Sequence, residues 1–314
     1  MRFAARLAAL TVATAALTAC GSEQVSTPGA GSTTSPSTTA PSGTTEPVEP
    51  TGPHSAPRGL VGLWQVSRAG EPAGTVLRLS ADQLSLVRPC GVLSGDWAAD
   101  TDGTLLTHVT DGPAACRTGT ELTPGWLVPP GGVKPDGKGG WLVNDREGTV
   151  VAQLTRTRDV TLPPGADQGL ATPPTLDADA ERRLAPAVPL PTGLEAATSR
   201  SIAGAWGPAK ATSKSGQPAT LQLQDSGEWV GTDGCNTTKG RWTTGSDGRV
   251  LVTGGASTMI GCDNVPLPLW WQDAARAGLD GEQLVLLDAQ GKEIARLVRV
   301  PSRPGLTTHA TPGR

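Results

Sequence analysis

Cysteine is the first residue type to weigh for chemistry. The chain has five cysteines. Cys20 stands apart near the N-terminus. The other four, Cys90, Cys116, Cys235 and Cys262, fall in two pairs spaced 26 and 27 residues apart. Four cysteines allow three connectivities, and the matched spacing favours structural disulfides Cys90 with Cys116 and Cys235 with Cys262. A redox or metal centre would want C-x-x-C or neighbouring histidines, and the sequence has neither. Of the 3 histidines, His54 and His309 fall in the tails, which leaves His108 alone. Neither a metal nor a cofactor is expected.

Carboxylates and hydroxyls come next. Asp145 and Asp288 occupy matching Asp-x-x-Gly segments. An acid–base pair would have to face one substrate, and these two sit in separate hairpins, where turn initiation explains them. Asp233-Gly234-Cys235-Asn236 reads as a turn needing positive φ at Gly234, with Asp233 and Asn236 bonding to local backbone. Ser201 and Ser257 have no histidine base nearby. Thr258 and Met259 read as packing at a strand end. No catalytic residue is expected, so the sequence reads as that of a non-enzyme.

The 9 tryptophans carry nearly all the aromatic surface, since there is 1 Phe and no Tyr. Trp64 matches Trp206, Trp97 matches Trp242, Trp229 matches Leu84 and Trp141 matches Leu284. Matched apolar positions point to core. Trp126, Trp270 and Trp271 have no counterpart. Neighbours on a helix point about 100° apart, so Trp270 and Trp271 cannot both face one core stripe. They are the candidate ligand contacts, for a sugar or an acyl chain.

These residues belong to two copies of one pattern. Leu60-Val-Gly-Leu-Trp64 parallels Ile202-Ala-Gly-Ala-Trp206. Both halves contain C-x4-G-x-W, at Cys90 to Trp97 and Cys235 to Trp242. Asp102-Gly103 and Asp247-Gly248 follow at the same distance. Leu142 to Leu154 parallels Val285 to Leu297. Period-two alternation cut by Asp-Gly and Asp-x-x-Gly turns signals β-hairpins. Two small antiparallel β domains of about 100 residues are therefore expected, over 58–156 and 201–300. The second holds a helix over 267–279, with Pro268 in its first turn and Gly278 at its end. The Pro/Gly-rich counterpart in the first copy implies a lost helix. Residues 157–200 read as a Pro-rich linker with one short helix over 175–184, and 301–314 as a disordered tail.

The N-terminus reads as an export leader over 1–19. Arg2 and Arg6 precede an apolar run too short to span a bilayer. Leu17-Thr18-Ala19-Cys20 resembles a lipobox, which implies diacylglyceryl attachment at Cys20 and a stable membrane anchor. Residues 20–57 are Ser/Thr/Pro-rich and read as a disordered stalk, spanning roughly 34 Å as a coil. The expected location is the outer face of the cell membrane. The formal net charge is −3 with no basic block, so nucleic acid is not an expected partner.

The second half carries a family resemblance. Gly231, Asp233, Gly234, Cys235 and Asn236, with Gly240 after them, resemble the G-S-D-G-C-N…G signature of the META (HslJ-like) domain. Ser257, Thr258, Met259 and Cys262 resemble its S-T-x-M-x-C segment. The first half keeps the cysteine spacing and C-x4-G-x-W but lacks both signatures, and reads as a degenerate copy. The resemblance implies a β-sheet curved into a partial barrel and closed by a helix, in a cell-envelope setting, without an established enzyme activity. The expected function is a non-enzymatic, lipid-anchored envelope protein that binds an envelope protein or an apolar ligand. The alternative is an inhibitor or structural module acting on another envelope enzyme, with a wall- or lipid-active hydrolase ranked behind both.

Overall fold

Alternation of large apolar and polar residues builds the first body. The computed structural model describes residues 56–117, 122–128, 131–210, 217–255, 257, 261 and 264–302. In the first body the strands are β1 (Gly62–Ser67), β2 (Val76–Leu79), β3 (Gln83–Arg88), β4 (Gly91–Ala99), β5 (Thr104–Asp111), β6 (Gly131–Pro135), β7 (Trp141–Asn144) and β8 (Val150–Arg156). They run antiparallel in sequence order, and β8 pairs back with β1 to close a barrel. The closure exceeds the partial barrel expected from sequence. Every second residue points inward, so Trp64, Leu77, Leu79, Leu84, Leu86 and Trp97 share one buried cluster.

Next come α1 (Ala178–Arg183), β9 (Glu195–Ala196) and α2 (Ser199–Ile202). The second body then comprises β10 (Gly204–Pro208), β11 (Thr220–Leu223), β12 (Glu228–Thr232), β13 (Thr237–Thr244), β14 (Val250–Gly254), α3 (Leu267–Gln272), β15 (Arg276–Asp280), β16 (Gln283–Leu287) and β17 (Glu293–Arg299). Its sheet order is β14-β13-β12-β11-β10-β17-β16-β15-β9. β14 and β15 meet at a single bridge, Arg249 opposite Arg276. α3 lays Leu267 and Trp271 into the core beside that seam, and Trp271 meets Trp242 edge to face at 5.9 Å.

The two bodies share their register. Trp64 lies opposite Leu77 and Arg156, and Trp206 opposite Leu221 and Arg299. Leu84 faces Gly95, and Trp229 faces Gly240. The register slips at the same point of the last hairpin, after Val143 and after Leu286. The indoles of Trp64 and Trp206 each donate to a carbonyl four residues upstream, Leu60 and Ile202, at 2.7 Å. A guanidinium covers each ring, Arg156 at 4.6 Å and Arg299 at 4.1 Å from the centroid. The glycine of C-x4-G-x-W has a steric reason in both bodies. A Cβ on Gly95 would stand 2.1 Å from the His108 carbonyl oxygen, and one on Gly240 would stand 1.9 Å from that of Thr253.

The helix expected over 267–279 is shorter. Pro268 does occupy its first turn, but it stops at Gln272 with Asp273 as C-cap. Residues Arg276–Asp280 form a strand paired on both sides, and Gly278 lies within it facing Ala196. Pairing with β16 on one side and β9 on the other outweighed helix propensity there. The segment 157–200 is also more than a connector. Val160 and Leu162 pack on the outer face of the first barrel, and Ala180 and Leu184 are buried.

Candidate functional site

The outer face of β4 and β5 packs on β13 and β14, and Leu106 is fully buried. The β4–β5 and β13–β14 turns thereby come side by side. Both are built on Asp-Gly, with Gly103 and Gly248 at positive φ, 87° and 75°. Arg249 follows the second turn and reaches across. Its guanidinium lies 2.5 Å from Asp102 Oδ2 and 3.4 Å from both Asp100 Oδ2 and Asp247 Oδ2.

Arg276 supplies the second pin. Its side chain is 8% exposed and sits 2.6 Å from Asp247 Oδ2. It donates to the carbonyls of Val188 at 2.9 Å, Asp247 at 3.0 Å and Ala187 at 3.1 Å. A buried guanidinium needs such a full set of acceptors. Arg276 therefore straps the connecting segment to the seam of the second sheet. Partial burial works to raise the Asp247 carboxyl, but the Arg276 hydrogen bond, the Arg249 backbone N–H and the charges of both arginines bring it down to about 2.

Pinned in this way, the bodies and the connector enclose a cleft of about 650 Å³. Its walls are residues 97–101 of the first body, 249–252 and 272–276 of the second, and 182–187 of the connector. Small apolar residues recur in these walls, including Ala98, Ala187 and Ala275, with Trp97 beside them. Asp82, Asp100, Asp288, Arg182, Arg183, Arg249, Arg276 and Asp273 carry charge around it, and burial raises the Asp273 carboxyl. Its volume and its apolar stretches match what a small-molecule or peptide-tip site requires, and the charged groups around them would orient a polar end.

Above the β4–β5 face, His108 stands opposite Asp96 in register. Its Nδ1 is buried and has no hydrogen-bond partner. Burial, then Arg241 and Lys239, lower its pKa to about 4 against the pull of Glu228. Burial, then the charge of Asp82, pushes Asp96 up to about 6.

Several residues singled out in the sequence do not line the cleft. Asp233 Oδ1 accepts from the backbone N–H of Cys235 and Asn236, and Asn236 Nδ2 donates to Asp233 Oδ2 at 3.0 Å. Gly234 has φ 97°, and a Cβ there would stand 1.8 Å from the Gln217 carbonyl oxygen. This signature is a turn, as its residue types indicate. Asp145 and Asp288 accept from backbone N–H groups of their own hairpins, and Asp288 also borders the cleft. Ser201 sits in a capping box with Thr198. Ser257 is exposed. Gly231 packs against Trp229 and Pro268.

The candidate ligand contacts Trp270 and Trp271 both lie on α3. Trp271 is fully buried in the second core, because that face of α3 covers the seam. Its Nε1 has no hydrogen-bond partner. Trp270 is half-buried against the same cluster, and Leu269 beside it is 59% exposed. Neither tryptophan lines the cleft. The interiors are packed with Trp and Leu side chains.

Cys90 and Cys116 form a disulfide. Cys235 is disulfide-bonded. Its expected partner Cys262 lies outside the described residues, as do Thr258, Met259, Cys20, the leader, most of the stalk and the end of the tail.

Sequence reasoning missed Arg249, Arg276 and the Glu71–Arg88 pair. Arg88 makes two hydrogen bonds to Glu71, at 2.7 and 2.5 Å, and donates to the Cys116 carbonyl. Trp126 Nε1 donates to the same carboxylate at 2.7 Å, which accounts for this unmatched tryptophan. Arg156 and Arg299 did carry a signal, since each lies two residues past a matched leucine, Leu154 and Leu297. Residues 201–301 match the META domain family. No curated protein matches the chain.

Proposed function

We propose that the chain is a non-catalytic, lipid-anchored module of the cell envelope that binds its partner in the cleft between the two β bodies. One observation carries the binding site. Both cores are filled, whereas the cleft offers about 650 Å³ of largely apolar space. The META domain at 201–301 and the lipobox-like Leu17-Thr18-Ala19-Cys20 support the envelope setting. The shared register supports reading 58–156 as a second, degenerate copy of the same domain.

The test is native mass spectrometry of the mature chain with Cys20→Ser, after incubation with a detergent extract of the source envelope. A stoichiometric adduct that disappears with Ala98→Trp, which fills the cleft, supports the reading. An adduct indifferent to Ala98→Trp contradicts it. The anchor is tested separately by metabolic labelling with an alkyne fatty acid, which Cys20→Ser should abolish.

A further inference from the structure

His108 is the one histidine in the folded bodies, and it lies where they meet. A Cβ on Gly255, just past β14, would stand 3.3 Å from its Cε1 and 3.3 Å from Thr110 Cγ2. Lys239 and Arg241 of β13 act on it as like charges, and Glu228 of β12 opposes them weakly. Across β4 stands Asp96, with Asp82 behind it. Arg249, at the far end of β14, is already held by Asp100, Asp102 and Asp247. The buried Nδ1 has no acceptor to receive a proton's hydrogen bond. A charge on this ring would be desolvated and placed beside two cations.

We propose that His108 is an acid-sensitive latch between the two bodies. Neutral, it lets β5 pack on β13. Protonated, it is driven out from beside Lys239 and Arg241, and the bodies separate, opening the cleft. Asp96 works in the opposite sense, because it takes up a proton in the packed state and loses a buried charge. Its uptake holds the interface closed and masks part of the latch. The Asp96→Asn variant therefore isolates His108.

The experiment uses the full mature chain with Cys20→Ser. Histidine Cε1–H resonances are followed by NMR from pH 7.5 to 3.5, with His54→Gln and His309→Gln leaving one signal. The His108 midpoint is expected more than one pH unit below that of an unstructured peptide. Small-angle scattering is recorded in parallel. In Asp96→Asn the radius of gyration should grow on acidification, with the open-to-closed ratio rising by about tenfold per pH unit. Adding His108→Gln should keep the compact radius over the same range. Adding Lys239→Gln and Arg241→Gln should weaken the expansion. A midpoint near about 6.5 in the compact protein overturns the proposal. So does an Asp96→Asn chain that stays compact, or one that expands equally with His108→Gln. The NMR titration needs no variant in the interface, so it decides even if a substitution prevents folding.

Discussion

Arg249 of the second body lies 2.5 Å from Asp102 of the first, and these two residues belong to equivalent turns. Asp102-Gly103 ends β4 as Asp247-Gly248 ends β13, so matching hairpins pack on each other. Arg249 holds carboxylates from both turns at once. Asp100 is only 6% exposed at its side chain and would lose its cross-body partner without that guanidinium. Arg249→Met should therefore destabilise the protein by about 1–3 kcal/mol, since a desolvated acceptor is left short of donors. Chemical denaturation of the variant beside the parent chain checks this. A loss below about 0.5 kcal/mol would mean that the tie is no stronger than an ordinary surface pair.

The Glu71–Arg88 pair should matter more. Both side chains are nearly inaccessible, at 4% and 8% exposure, and Trp126 depends on the same carboxylate. Arg88→Met leaves a buried charge uncompensated and should cost about 3–5 kcal/mol. Replacing both residues by apolar ones of similar volume should restore much of that loss. Urea unfolding of the single and double variants separates the two cases.

Acid stability should show two opposed slopes. The folded state holds Asp96 up at about 6, against an ordinary 3.8, so its contribution to stability grows as pH falls through 6. It holds His108 down at about 4, against 6.5, so that contribution is lost as pH falls from 6.5 towards 4. Over the shared window the parent chain should be nearly flat. His108→Gln should gain stability on acidification, and Asp96→Asn should lose it. Thermal midpoints at half-unit pH steps would show either pattern, and parallel curves for the two variants would contradict the assignment.

The two inner tryptophans of the second body should respond differently to Phe. Trp229 Nε1 donates to the Thr253 carbonyl at 2.8 Å, whereas Trp271 Nε1 has no partner. Both side chains are fully buried. Trp229→Phe therefore removes volume and strands an acceptor, while Trp271→Phe removes volume and relieves an unsatisfied donor. The first should be the more destabilising by about 1 kcal/mol.

The strands and their turns were legible because their signals are local. Val76 to Leu79 alternates, Asp-Gly closes hairpins, and Cys90 and Cys116 lie near enough in sequence for matched spacing to pair them. The end of α3 was not legible, because Arg276–Asp280 owes its strand to β16 and β9 rather than to its own composition. The cleft was hidden for a stronger reason. Arg249 and Asp102 are 147 residues apart, and Arg276 reaches carbonyls 88 and 89 residues away. Single arginines with distant partners leave no period or motif. Only the packing of the β4–β5 hairpin on the β13–β14 hairpin brings them together.

The central claim is that the partner binds between the bodies, and site-specific photo-crosslinking in the source cells tests it most directly. A benzophenone amino acid is placed at Ala187 in the cleft wall, and in a separate chain at Lys138, which is exposed in the β6–β7 turn away from the cleft. The account expects a discrete crosslinked species from position 187 that is absent from position 138 and is suppressed by Ala98→Trp. Equal crosslinking from both positions, or a species from 187 that survives Ala98→Trp, would contradict it.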